Sequence, residues 1–158
     1  MRLQPFFLSR EGSFDMWEML RRVRNSCAPG LTGSQAEITP EQQKVYRWSY
    51  SENVRHYLYL DADDQVVGYS RLKWRDGFVY PTCGVAEWAR GKGYAWDVVK
   101  HAMLAAGGPM RGELIFANEA IKHVDFALGW RPVGPPPDEC GILQIEAEWP
   151  PLFVEELV

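Results

Sequence analysis

The chain has 158 residues, a formal net charge of −4 and an apolar content of 46%. This length fits one domain with a sizeable buried core, and the composition is that of an ordinary soluble globular protein. The acidic balance argues against broad nucleic-acid binding, although it allows a local basic patch, and no apolar run approaches the roughly 20 residues that a membrane-spanning helix needs. The three cysteines are far apart and the three histidines show no ligand spacing, so we expect no disulfide framework, no bound metal and a reducing cytoplasm.

The periodicity of the apolar residues predicts secondary-structure elements in the order β-α-α-β-β-β-α-β-α-β. Ser13 and Thr39 are typical helix caps, and Pro40 favours a first helical turn directly after Thr39. The first six elements are expected at residues 3–8, 13–24, 39–48, 56–60, 65–74 and 78–86. The last four are expected at residues 94–106, 113–117, 118–129 and 142–149. This order indicates one α/β or α+β domain with a largely antiparallel start.

A glycine-rich turn, Arg90-Gly91-Lys92-Gly93-Tyr94-Ala95, lies between the predicted strand 78–86 and the predicted helix 94–106. Glycines at this point let the backbone approach a ligand and direct its free N–H groups outward. The start of the helix adds the positive end of its dipole, and Arg90 and Lys92 add charge. The turn therefore predicts a site for a phosphate or a pyrophosphate.

Two common phosphate motifs do not fit this turn. A P-loop would need Gly where Ala86 stands, and Ser or Thr where Gly93 follows Lys92. The dinucleotide fingerprint would need Gly or Ala where Trp96 stands, and it belongs to a βαβ unit rather than to the end of an antiparallel meander.

A third pattern does fit, since Arg90-x-x-Gly93-x-Ala95 after a strand resembles the acetyl-CoA signature of the GNAT superfamily of N-acetyltransferases. The segment from Asn118 to Leu128-Gly129-Trp130 is similar to the downstream Asn…Leu-Gly-Phe segment of that family, with Ile121 where the family often has Ala. The spacing between the two segments and the order of the elements also match. The resemblance covers residues 3–134.

The resemblance implies a single GNAT-like domain of the α/β (α+β) class over residues 1–158. Its centre would be a mixed, mostly antiparallel sheet of six to seven strands, flanked by about four helices. The fourth and fifth strands would splay apart and leave a strand edge free for a ligand.

The resemblance also implies acetyl-CoA as co-substrate and no metal. The turn amides would hold the pyrophosphate, the strand edge would pair with the pantetheine arm, and Asn118 would contact that arm or fix the second helix. A backbone N–H at the edge would polarise the thioester carbonyl. The implied cofactor-binding residues are Cys83, Val85, Arg90, Gly91, Lys92, Gly93, Tyr94, Ala95 and Asn118.

Acetyl transfer requires a neutral amine and a way to release the CoA thiolate. Many members of the family place a proton-donating Tyr about seven residues after the capping Asn, and here Asp125 stands at that position. Three alternatives follow. Asp125 has a raised pKa, a tyrosine such as Tyr80 or Tyr94 donates the proton, or the thiolate leaves unaided. The candidate catalytic residues are Tyr80 and Asp125.

The N-terminal third forms the acceptor side in this superfamily, so Arg24 and Asn25 are candidate substrate-binding residues. The pattern Arg21-x-x-Arg24-Asn25, followed by residues 38–43, is similar to a subgroup that acetylates amino groups of nucleotide-linked sugars. A peptide, lysine, polyamine or aminoacyl amine stays open as the acceptor. A non-catalytic acyl-CoA-binding or sensing module and a domain that binds no CoA are the alternative functions. The expected partner is a small-molecule amine, without nucleic acid or membrane, and a homodimer is allowed.

Overall fold

The computed structural model describes residues 2–32, 36–48, 52–138 and 141–153. The strands are β1 (Gln4–Leu8), β2 (Val54–Leu60), β3 (Val66–Arg75), β4 (Phe78–Val85), β5 (Met110–Ile115), β6 (Arg131–Pro132) and β7 (Ile142–Ala147). The helices are α1 (Phe14–Ser26), α2 (Pro40–Trp48), α3 (Tyr94–Ala106) and α4 (Glu119–Ala127), with short 3-10 turns at Ala28–Gly30 and Glu87–Ala89. The strands form one seven-stranded mixed sheet in the order β1-β2-β3-β4-β5-β7-β6.

The two helices of the N-terminal third begin at side-chain caps. The Ser13 hydroxyl accepts a hydrogen bond from the Met16 N–H at 3.2 Å. At the start of α2, Thr39 Oγ1 accepts from the Gln42 N–H and Gln42 Oε1 accepts from the Thr39 N–H. This reciprocal pair is a capping box, and it fixes the point at which the chain turns into α2.

Helices cover both faces of the sheet. Tyr69 of β3 packs in the cluster of α1, which contains Trp17 and Leu20, whereas Leu72 packs in the cluster of α3 and α4, which contains Met103. Tyr69 and Leu72 are three residues apart on one strand, so their side chains point to opposite faces. We call these the α1 face and the α3 face.

The sheet opens between β4 and β5. Strand β4 pairs with β3 along its whole length, from Phe78 with Arg75 to Val85 with Gly68. Strands β4 and β5 are parallel, and in the described residues the pair Val79 and Met110 is their one ladder pair. The two strands separate beyond that point, which confirms the expected splay between the fourth and fifth strands.

The free edge of β4 faces this gap. The Val79 N–H donates to the Pro109 carbonyl on the β5 side at 2.9 Å, whereas the Ala86 N–H donates to Val67 of β3. Backbone groups of alternate residues in a strand point the same way, so the backbones of Pro81, Cys83 and Val85 point into the gap with that of Val79. Proline has no N–H, and at this edge it costs no hydrogen bond of the sheet.

Candidate active site

A cavity of about 960 Å³ lies at the gap between β4 and β5. Residues of both strands and of all four helices line it. A concave site of this size between sheet and helices is typical of a ligand pocket. The cavity has one end beside α3 and α4 and another beside α1 and α2.

The glycine turn forms part of the wall of the cavity. Gly91 and Gly93 have φ angles of 80° and 76°, in the left-handed region that favours glycine, and α3 begins directly after Gly93. The first amides of a helix have no partner within the helix, so they are available to an anion. Among the described lining residues are Arg90, Gly91, Gly93, Tyr94 and Ala95, but not Lys92.

Arg2 brings a positive charge to this turn, and the sequence patterns did not reveal this contact. Its Nη2 donates to the Lys92 carbonyl at 2.7 Å, and its guanidinium lies 4.9 Å from the centre of the Tyr94 ring. Its Nε is also 3.8 Å from the carboxylate of Asp97, in the first turn of α3. Arg2 therefore offsets a negative charge beside the anion site. More than 85 residues separate it from the turn along the chain, and no local pattern reveals this approach.

Two further contacts fix the helices that carry the site. Arg90 Nη2 donates to the Ser26 carbonyl at the end of α1. Asn118 Oδ1 accepts from the Ile121 N–H at 3.2 Å and so caps α4, and Asn118 also lines the cavity. Asn118 therefore fixes the start of α4.

Asp125 is buried in α4, with 8% of its surface exposed, and lines the cavity. Burial raises the pKa of its carboxyl to about 7, because the charged form loses water. Burial, with the charge of Asp125 beside it, also raises the pKa of the Cys83 thiol. Cys83 is therefore a neutral thiol, and Asp125 exchanges a proton near neutral pH.

Tyr80 lines the same cavity from the other face of β4. The Arg75 guanidinium lies 4.7 Å from the centre of its ring, and hydrogen bonding to Arg75 lowers the pKa of Tyr80. Tyr80 is four residues from Gly84, whose Cβ position points at Cys27 in the α1 cluster, so Tyr80 points to the α1 face. The two candidate catalytic residues thus share one cavity but lie on opposite sides of β4.

The two candidate substrate-binding residues differ in their placement. Arg24 lines the cavity, and its Nη1 donates to the Ala36 carbonyl. Asn25 is not among the lining residues. Its amide donates to the Ile38 carbonyl at 3.0 Å and accepts from the Ile38 N–H at 2.8 Å. Asn25 therefore ties the segment before α2 to α1.

The end of the cavity beside α1 and α2 contains polar residues that the sequence patterns did not reveal. His56, Tyr46 and Arg71 line it, and His56 Nε2 lies 3.2 Å from the Tyr46 hydroxyl. Burial, helped by the charge of Arg71, lowers the pKa of His56 to about 3, so its ring is neutral at physiological pH. These residues lie on β2, β3 and α2, and only the register of the strands brings them together.

The structure shows no group of three His, Cys, Asp or Glu residues placed to hold a metal ion, within the described ranges. None of the helices in these ranges is long and apolar enough to cross a membrane. Cys27 and Cys83 are free thiols, and Cys140 lies outside the described residues.

Comparison with protein-family models gives no match, and comparison with curated protein sequences gives none. Solved structures match over nearly the whole chain. A spermidine N-acetyltransferase from Vibrio cholerae, in complex with CoA and spermine, is 12% identical with a TM-score of 0.77, covering 93% of this chain and 95% of that one. A candidate phosphinothricin N-acetyltransferase is 16% identical with a TM-score of 0.74, covering 92% of this chain and 98% of that one.

At such identities the likeness is one of fold. The seven-stranded sheet, the parallel β4–β5 pair and the four α-helices of the described residues agree with it. The chain therefore has the fold of the GNAT N-acetyltransferases, as the motifs at Arg90 and Asn118 predict.

Proposed function

We propose that this chain is an acetyl-CoA-dependent N-acetyltransferase that transfers the acetyl group to the primary amine of a small molecule. The observation that carries this proposal is the unpaired edge of β4, which shares one cavity with the glycine turn at the start of α3. An edge of this kind accepts an extended ligand with amide groups, and the turn accepts a phosphate. CoA carries both in one molecule.

The residues present fit this co-substrate. The N–H groups of Cys83 and Val85 would pair with the pantetheine arm. The turn from Arg90 through Gly91, Lys92, Gly93 and Tyr94 to Ala95 would hold the pyrophosphate, while Arg2 offsets the charge of Asp97 beside it. Asn118, which caps α4, would keep that helix against the arm.

Asp125 is our candidate for the general acid. The amine nitrogen attacks the thioester carbon, the C–N bond forms and the C–S bond breaks with its electron pair on sulfur. A protonated Asp125 would give its proton to that sulfur, and a carboxyl with a pKa of about 7 has this proton in a large share of molecules at neutral pH. The proton that the amine loses passes to water in the cavity, and Tyr80, on the α1 face, is our alternative candidate to give a proton to the sulfur.

The place of Asp125 in the cavity wall, with a pKa at which it can exchange a proton, supports catalysis over a non-catalytic acyl-CoA sensor. The two functions separate in one assay, since an enzyme releases CoA with some amine whereas a sensor binds acetyl-CoA without turnover. For the acceptor, Arg24 in the cavity wall supports the nucleotide-linked amino sugar. Spermidine and phosphinothricin are suitable test acceptors because the two solved structures above are of a spermidine and of a candidate phosphinothricin N-acetyltransferase. The single domain over residues 1–158, the cytoplasmic location and the homodimer stay predictions.

Acetyl-CoA is expected to stabilise the protein through the glycine turn. At 100 times its Kd, a ligand of the folded state adds about 2.7 kcal/mol, which for this length raises Tm by about 5–10 °C. Gly93→Ala should reduce that rise at fixed acetyl-CoA concentration, because a Cβ at φ 76° strains the turn and lies 3.2 Å from Arg2 Nη2. Thermal unfolding with and without acetyl-CoA measures the effect.

The control is Gly107→Ala at the other end of α3. Gly107 also has a positive φ, 69°, and has no side chain or backbone atom within 4 Å of its Cβ position. Both variants should lose about 1 kcal/mol without ligand. The Gly107→Ala protein should keep the full acetyl-CoA shift. An equal loss of shift in both variants would contradict the assignment of the turn.

A further inference from the structure

Arg71 of β3 is a positively charged side chain in the wall of the cavity. In the described part of the chain it makes no ion pair, and its buried Nε has no hydrogen-bond partner. Its guanidinium carbon lies 6.0 Å from the centre of the Tyr46 ring. A buried N–H without a partner costs free energy and calls for an explanation such as a ligand.

Among the described residues, the part of the cavity wall beside Arg71 is positive or neutral. The acidic residues that line the cavity, among those described, are Glu113 and Asp125, which belong to β5 and α4. At the opposite end, beside α1 and α2, the lining residues with charge are Arg21, Arg24 and Arg71. Arg21 is already paired with Glu18 at 2.5 Å. Arg71 is therefore the strongest candidate to receive a negative group from outside the protein.

The position of Arg71 also suits a ligand that reaches the free edge of β4. Arg71 pairs with Thr82 of β4 and with His56 of β2, so the three side chains point to the α1 face. Adjacent strands lie about 5 Å apart, which places Arg71 one strand from the gap. A group bound by Arg71 would thus lie in the same cavity as the free edge of β4, on its α1 side.

We propose that Arg71 binds an anionic group of the acceptor, so that the substrate is an amine that also carries a carboxylate or a phosphate. This inference rests on the acetyl transfer proposed above and narrows its acceptor class. Arginine matches the planar geometry of a carboxylate or a phosphate oxygen pair with two N–H donors. The same charge repels a polyamine and favours the neutral form of the reacting amine.

The test uses acceptor pairs that differ in the anion alone. One pair is phenylalanine and phenethylamine, the other is glucosamine 1-phosphate and glucosamine, and spermidine serves as a cationic acceptor. CoA release is followed for the wild-type protein and for Arg71→Gln, Arg71→Lys and Lys73→Gln. Lys73 is the next residue of β3 on the α1 face and lies outside the cavity wall.

We expect the wild-type protein to prefer the anionic member of at least one pair. Arg71→Gln should raise the KM of that acceptor about 10- to 100-fold, the loss typical of one charged hydrogen bond, without changing the KM of acetyl-CoA. Arg71→Lys should retain part of the preference, which separates lost charge from misfolding, and Lys73→Gln should retain all of it. The preferred pair also distinguishes a carboxylate from a phosphate.

Two results would overturn the inference and leave acetyl transfer standing. One is a wild-type preference for spermidine or for the neutral member of both pairs. The other is an Arg71→Gln variant that loses the same factor on both members of a pair. If none of the acceptors is turned over although acetyl-CoA raises Tm, the proposed enzymatic function is wrong, and this inference is wrong with it.

Discussion

Replacing Asp125 by Asn is expected to lower kcat by about 10²- to 10⁴-fold, the usual contribution of a general acid or base. Asparagine keeps the shape and the burial but has no proton to give to the leaving sulfur. The wild-type kcat should fall as pH rises through about 7, because the carboxyl then loses its proton, and this alkaline limb should be absent in the variant. Steady-state rates at saturating acetyl-CoA and acceptor, from pH 5.5 to 9, measure both effects.

The matched control is Glu119→Gln on the same helix. The Glu119 side chain is 83% exposed and pairs with Lys122, so its loss should change kcat little. If the wild-type kcat instead falls as pH decreases below 7, Asp125 acts as a base rather than as an acid. An unchanged kcat in Asp125→Asn would remove it from the chemistry.

The same substitution should increase stability at high pH. The folded pKa of Asp125, about 7, lies above its usual value of 3.8, so the folded state loses stability as pH rises from about 4 to about 7. Over that range the free energy of unfolding of Asp125→Asn, relative to that of the wild type, should rise by at most about 1.4 kcal/mol per pH unit. Urea unfolding at pH 4, 5.5, 7 and 8 tests this, and a difference that does not change with pH would contradict the buried titration.

His56 acts in the opposite sense. Its folded pKa of about 3 lies below the usual 6.5, so stability from the neutral ring is complete above pH 6.5 and is lost as pH falls towards 3. Between about pH 4 and 6.5, Asp125 lowers the free energy of unfolding as pH rises and His56 raises it, so the two contributions largely cancel. Asp125→Asn should therefore reveal the slope due to His56, as stability that rises with pH.

Gly84→Ala is expected to destabilise the protein by about 2–3 kcal/mol through overpacking. An added Cβ would lie 2.7 Å from Cys27 Sγ and 2.7 Å from Tyr69 Cε1. Both neighbours are buried, with 6% and 3% of their surfaces exposed, so neither has room to move away. Chemical denaturation measures the loss of free energy of unfolding.

Gly108→Ala serves as the control, since the nearest atom to its added Cβ is Val79 Cγ2 at 3.9 Å, an ordinary contact. Removal of the Cys27 thiol should relieve part of the crowding around a Cβ at position 84. The double variant Gly84→Ala, Cys27→Ala should therefore be more stable than the sum of the single losses predicts, by about 1 kcal/mol. Strict additivity would show that the clash with Cys27 does not exist.

The fold was predictable where local signals mark both ends of an element. The predicted and observed bounds of α3 agree because Gly93 and Gly107, both at positive φ, stop the helix on either side. Strand β5 was expected at residues 113–117 but spans Met110–Ile115, since its first residue is set by pairing with Val79 of β4. Strand β6 has two residues, one of them Pro132, and such a length carries no periodicity.

The residues of the site were also predictable only where a local sequence pattern marks them. The glycine turn and Asp125 follow from motifs of consecutive or regularly spaced residues. Arg2 and Arg71 were missed because their roles depend on contacts with residues far along the chain, Lys92 in one case and the paired strands of the sheet in the other. A single sequence contains the residue but not the register that gives it a neighbour.

Pro81 has a consequence for self-association. A strand with a free edge is a template on which a strand from another molecule adds, and β4 offers such an edge inside the sheet. Because the backbone of Pro81 faces the gap without an N–H, an incoming strand would lose a hydrogen bond in the middle of its length. A short ligand that needs only the N–H groups of Cys83 and Val85 loses nothing. One residue thus keeps the edge available for binding while it opposes aggregation through the same edge.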